Sequence, residues 1–128
     1  MANVILFIIL LLIVGQILFQ KMRVKKAAKI VDATTFKEGA CKAQIVDVRE
    51  RNIFKRSHIL GARSLPMSQF RESLKSLRKD HTVYLYEDRE ILAGRAAVLL
   101  KKAGFTEIYI LKKGYAAWNG KIKTKEAR

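Results

Sequence analysis

Residues 1–20, MANVILFIILLLIVGQILFQ, carry no charged side chain. Coiled as a helix they rise about 30 Å, the thickness of a bilayer's hydrocarbon core. A cleaved signal peptide needs a positive leading region and a small-x-small cleavage site. No cation precedes Val4, and no such site follows Phe19. A buried helix of this length and apolarity exceeds what a small domain can cover. A transmembrane helix over residues 1–20 is therefore expected. Of the 128 residues, about a hundred then remain for one soluble core, a common domain size.

The flanks of the span give its expected orientation. Only Met1, Ala2 and Asn3 precede the apolar run, whereas Lys21, Arg23, Lys25, Lys26 and Lys29 follow it. The positive-inside rule places a basic juxtamembrane linker, residues 21–29, and the domain behind it in the cytoplasm, with the amino terminus outside. The expected localisation is a single-pass protein of the cell membrane.

Charge points the same way. Lys and Arg number 26 against 11 Asp and Glu, a formal +15. Nucleic acid, an anionic membrane or a merely basic solvated surface could each account for that surplus. The cluster beside the span favours the lipid bilayer and anionic head groups near residues 21–29, worth about 1 kcal/mol per cation at the surface. Nucleic acid ranks behind, because neither an aromatic RNA-binding signature nor a DNA-reading helix is visible. The single cysteine, Cys41, excludes an internal disulfide and a cysteine-based zinc site, and suits a reducing compartment. His58 and His81 lie too far apart in sequence to suggest a metal site. The Gly-rich phosphate motifs do not occur. Neither metal nor cofactor is expected.

The soluble part is organised around residues 82–105, TVYLYEDREILAGRAAVLLKKAGF. Val83, Tyr84, Leu85 and Tyr86 predict a strand buried on both faces. Ile91, Leu92, Ala96, Val98, Leu99 and Leu100 predict a largely buried helix, with Lys101 and Lys102 in its last turn and Gly104 as its left-handed cap. Between them lies a charged loop, Glu87-Asp88-Arg89-Glu90. Loops at the carboxyl ends of strands in open α/β sheets are where ligands sit.

Other elements alternate in the same way. Residues 28–31 read as a short strand, and Asp32 or Thr34–Thr35 as the cap of a short helix around Phe36. Residues 43–48 form a clear strand ending at Asp47. Residues 49–52 read as a polar loop, and 54–66 as an ordered loop with a short strand at its end. Met67, Phe70, Leu74 and Leu77, spaced three, four and three, predict one amphipathic helix over 67–78. A strand over 106–111 and a short helix carrying Trp118 follow. Residues 121–128 read as a charged, frayed tail. The pattern predicts an α/β domain over residues 30–120, with a parallel sheet flanked by helices.

Several blocks resemble the rhodanese family of sulfurtransferases: Ile45-Val-Asp-Val-Arg-Glu50, Phe54, His58-Ile-x-Gly-Ala62, Leu65-Pro66, Val83 to Tyr86, Ala96-Ala97, Ala103-Gly-Phe105, and Leu111 to Gly114 with Trp118. The resemblance implies a catalytic cysteine directly after the central strand, heading a six-residue loop whose N–H groups cradle its persulfide. Counted back from Ala96-Ala97, that position is Glu87. The loop positions usually held by Gly, Arg and Ser are Glu90, Leu92 and Ala93. Lys113-Gly114 stands for a glycine pair. The resemblance also implies a scaffold role for His58.

A carboxylate cannot carry sulfane sulfur, so the loop Glu87, Asp88, Arg89, Glu90, Ile91 and Leu92 is expected to be degenerate, with no catalytic residue. Glu87 either turns inward to accept the loop N–H groups, where Arg89 could pair with it, or joins a solvated charged knob. The resemblance also implies that Asp47 and Arg49 order the neighbourhood of the loop, through a structural ion pair or hydrogen bonds. Cys41 precedes the 43–48 strand, about 15–20 Å from the loop at 3.3 Å per strand residue. Two functions remain open. One is a catalytically inactive membrane-anchored module binding an unknown protein through Glu87, Asp88, Arg89, Glu90 and Leu92. The other is a sulfurtransferase or sulfur carrier using Cys41 by a non-standard route.

Overall fold

A computed structural model describes residues 1–124. Helix α1 (Ala2–Ala27) is continuous; its apolar window is unburied by the rest of the chain, and it is long and apolar enough to cross a membrane. The helix does not end with the uncharged run. Val24 packs against the domain core, and Ala27 and Ala28 are buried in it. Residues 21–29, expected as a linker, are thus partly core. The small Ala27-Ala28 pair allows this close approach, while Lys21, Lys25, Lys26 and Lys29 stay exposed.

Behind α1 lies a parallel five-stranded sheet in the order β1-β6-β5-β2-β4, formed by β1 (Lys29–Val31), β2 (Gln44–Asp47), β4 (Arg63–Ser64), β5 (Val83–Tyr86) and β6 (Ile108–Leu111). The expected α/β architecture is the observed one. β5 occupies the centre, with Asp47 of β2 in register with Tyr86 and Ile108 of β6 in register with Val83. Side chains alternate across a strand, and β5 uses both faces. Val83 and Leu85 join the cluster under α1 and α5 (Ile91–Lys102), with Ala93, Ala96, Ala97 and Leu100. Tyr84 and Tyr86 join Phe36 of α2 (Ala33–Ala40) on the opposite face.

Helix ends follow the expected chemistry. The Asp32 carboxylate accepts the Thr35 N–H at 2.8 Å, which selects Asp32 as the cap of α2. Gly104 adopts φ +102° just past α5, and Phe105 N–H donates to the Leu100 carbonyl at 3.0 Å.

Four segments depart from expectation. The short helix expected to carry Trp118 is a single 3-10 turn, Tyr115–Ala117, and Trp118 lies extended just past it. Residues 51–52 and 54–59, expected as loop, instead belong to α3 (Arg51–Arg56) and β3 (Ser57–Ile59). The Phe54 and His58 rings stack at 3.7 Å, and a helix of 6 residues is too short to leave a periodic signal. Residues 67–78 are not one helix. Only α4 (Phe70–Ser73) is α-helical, between two 3-10 turns. The Ser76 hydroxyl donates to the Ser73 carbonyl at 2.8 Å, and such local bonds compete with the helical ladder. Residues 122–124 are not frayed but form β7 (Ile122–Thr124), antiparallel to β3. Residues 125–128 of the expected tail lie outside the described residues.

Candidate functional site

Glu87 follows Tyr86 at the carboxyl end of β5, and only 7% of it is exposed. Its carboxylate takes the inward of the two orientations. Glu87 Oε1 accepts the N–H groups of Leu92 and Ala93, the latter at 3.1 Å. These belong to the first turn of α5, whose amides lack intrahelical partners. The N-cap residue Glu90 makes no side-chain cap bond, so Glu87 supplies the missing acceptor from five residues upstream. Burial raises the Glu87 carboxyl's pKa above its ordinary range, outweighing the lowering by the Ala93 and Leu92 amides. Arg89, which could have paired with an inward Glu87, is exposed; backbone amides hold the carboxylate.

The remaining turn is clamped from the far side of the sheet. Tyr115 N–H donates to the Glu87 carbonyl at 2.6 Å, and Glu90 Oε2 accepts the Lys113 N–H at 2.7 Å. Gly114 has φ +71°, and a β-carbon there would lie 2.3 Å from the Asp88 carbonyl oxygen. Only glycine fits this contact. Lys113, in place of the first glycine of the family pair, also adopts positive φ, 63°.

Arg49 forms the floor beside the turn. Its Nη2 donates to Asp47 Oδ2 at 2.6 Å and to the Ser57 carbonyl at 2.8 Å. Its guanidinium lies 4.3 Å from the Tyr115 ring centroid and 3.4 Å from Asp88 Oδ1. Burial opposes the Arg49 charge, but Asp47, Tyr86 and Asp88 outweigh it and hold the guanidinium firmly protonated. Tyr86 is pushed well above the ordinary phenol range, first by burial and then by Asp47. The sequence indicates the Asp47–Arg49 pair but not its aromatic walls, because Tyr115 reaches Arg49 only through the tertiary fold.

The sequence-selected loop residues divide by direction. Glu87 points inward and Leu92 packs against the core. Asp88 is 64% exposed at its side chain and Ile91 63% exposed. Glu90 is half-buried. His58 Nδ1 lies 2.7 Å from the Phe54 carbonyl oxygen, a scaffold contact. Cys41 is exposed at the end of α2, before β2 and thus at the sheet edge opposite the turn.

The rhodanese-like domain family matches residues 19–121. The chain belongs to the rhodanese-like family. Among similar proteins, YqhL of Bacillus subtilis (strain 168) is 41% identical over 126 residues, covering 98% of this chain and 100% of YqhL. YibN of Escherichia coli (strain K12) is 33% identical over 81 residues, covering 61% of this chain; the match spans 57% of YibN's length. The solution structure of the rhodanese-like domain of the Anabaena protein Alr3790 superposes with TM-score 0.69 at 31% identity, covering 77% of this chain and 81% of that one. The rhodanese-like match begins inside α1, consistent with Val24, Ala27 and Ala28 belonging to the core.

The chemistry available follows from the contents of the turn. Two amides that could face an anion already bind a carboxylate. No thiol occurs in residues 87–92. An external anion would have to displace Glu87 or share the turn with its charge, and like charges at such separation repel strongly.

Proposed function

We propose that this rhodanese-like protein is anchored in the membrane by α1, does not transfer sulfur, and binds a protein partner through the turn at residues 87–92. The observation that carries the reading is the Glu87 carboxylate accepting the Leu92 and Ala93 amides. Counted back from Ala96-Ala97, Glu87 stands where the resemblance places the family's catalytic cysteine. Sulfur transfer needs a thiolate that attacks a donor and holds the sulfur as a persulfide. A carboxylate offers no such step.

The outward half of the turn supports a contact role. Asp88, Arg89 and the exposed Ile91 set charges of both signs beside an apolar side chain, a combination suited to a small protein interface. The cations after the uncharged run support a cytoplasmic domain.

A thiosulfate–cyanide assay on the full chain in detergent, beside Cys41→Ser, tests the catalytic half of the reading. No turnover above buffer is expected from either protein. Turnover that disappears in Cys41→Ser would replace this reading with sulfur transfer through Cys41. A photoreactive side chain at Asp88 tests the other half. It should capture one partner from native membranes, and capture should fall when Ile91 is changed to Asp.

A further inference from the structure

A groove of about 850 Å³ lies between the last turns of α1, the outer face of α5 and the segment around Met67. Its lining joins two chemistries. Val24, Val98 and Leu99 give an apolar, at least half-buried floor, while Lys21, Arg71, Arg95 and Lys102 stand exposed around it. Among the described residues, Arg23 and Lys25 bring the lining cations to six, against the one carboxylate of Glu90. That carboxylate is already engaged by the Lys113 N–H.

The position of the groove follows from topology. α1 runs into β1, and α5 follows β5 and leads to β6, all strands of one parallel sheet. Both helices therefore run against the strands and alongside each other, with Gly94 against Val24; a β-carbon on Gly94 would lie 3.0 Å from Val24 Cγ2. Moving back along α1 toward the apolar span thus leads toward the carboxyl edge of the sheet, where Glu87 and Ile91 sit. At that end the groove is lined by Gln16, Ile17 and Gln20, the last residues of the uncharged run. With α1 as a membrane anchor, these residues would set the mouth of the groove where acyl chains meet head groups.

We propose that this groove binds one anionic phospholipid of the host bilayer, its phosphate among Lys21, Arg71 and Arg95 and an acyl chain along Ile17 and Val24. This rests on reading α1 as a membrane anchor. The lipid's negative charge matches the cationic rim, and its amphipathic form matches a charged rim over an apolar floor. Occupancy holds the carboxyl edge of the sheet, with the Glu87 turn, near the membrane surface.

The test uses the full chain carrying Cys41→Ser and Ile91→Cys, labelled with bimane, in phosphatidylcholine nanodiscs. A small share of brominated phosphatidylglycerol should quench the label more than the same share of brominated phosphatidylcholine. Each cation near an anionic head group contributes about fivefold in affinity. Arg71→Gln with Arg95→Gln should therefore weaken the phosphatidylglycerol effect about twenty-five-fold; circular dichroism checks that the variant is folded. A label on Lys37 of α2 should not distinguish the lipids. Equal quenching by both lipids at Ile91, or quenching indifferent to the two arginines, would overturn the site. Displacement of the signal by free glycerol phosphate would make it a small-anion site and overturn the lipid assignment. Release of the chain by carbonate sinks the anchor itself, whereas a retained chain without lipid preference sinks the groove alone.

Discussion

The Ala93 N–H donates to Glu87 Oε1 at 3.1 Å, across the turn between β5 and α5. With the Leu92 amide on the same oxygen, this contact lets a carboxylate from the strand end cap the helix that follows. The anion-binding geometry of the turn is thereby satisfied from within the chain.

Removing that acceptor should cost stability. Glu87→Ala leaves the sheltered Leu92 and Ala93 amides at the start of α5 without a side-chain partner, a loss of about 1–3 kcal/mol, measurable in urea. Glu87→Gln keeps a carbonyl oxygen for both amides and should lose less. The variants also separate by pH. The folded carboxyl's pKa is raised above its ordinary 4.5, burial being the largest cause. The folded state therefore holds the proton more tightly than the unfolded state, so this group's stabilisation is present below 4.5 and is lost as pH rises through the folded value. The stability of the natural chain relative to Glu87→Gln should fall from pH 4 toward neutrality. A flat difference would show the carboxylate to be solvated.

The buried pair Asp47–Arg49 should act as a unit. Asp47→Asn leaves the Arg49 charge without its main partner and should cost about 3–5 kcal/mol in a urea titration. A loss like that of an exposed pair, under about 1 kcal/mol, would contradict the arrangement.

The clamp on the turn has its own signature. Gly114→Ala forces a β-carbon against the Asp88 carbonyl at positive φ and should cost at least about 1–3 kcal/mol. Lys113→Gly relieves the left-handed residue beside it and should gain up to about 1 kcal/mol. Equal and opposite changes in thermal midpoint are not required; the opposite signs are.

Docking of α1 on the domain is testable through Gly94. Gly94→Leu drives a side chain into Val24 and should lift the end of α1 from α5, speeding tryptic cleavage after Lys25 and Lys26 in detergent. An unchanged cleavage rate would contradict the contact.

What was legible in the sequence depended on locality. β5 and α5 each carry their signal within a few residues, as do the uncharged run, Gly104 and the Asp32 cap. The loop between β5 and α5 was legible as a charged strand-to-helix connection for the same reason. The broken helix over residues 67–78 was not, since its apolar spacing suits a 3-10 turn nearly as well as an α-turn and serine bonds interrupt the ladder. β7 was hidden because its partner β3 lies more than sixty residues away. The stacking of Arg49 on Tyr115 and the hold of Lys113 on Glu90 likewise join distant segments, and neither leaves a mark in either segment alone. Arg89 suggested itself as a partner of Glu87 by adjacency, whereas the folded turn brings backbone amides closer.

Whether the turn carries sulfur is read from the intact mass of the full chain after incubation with thiosulfate, before and after added cyanide, beside Glu87→Cys. The natural chain should show no added sulfur atom. Glu87→Cys should gain one, because its thiol would head a turn whose free amides favour the thiolate. A natural chain that gains a sulfur atom on Cys41 and gives it up to cyanide would contradict the account.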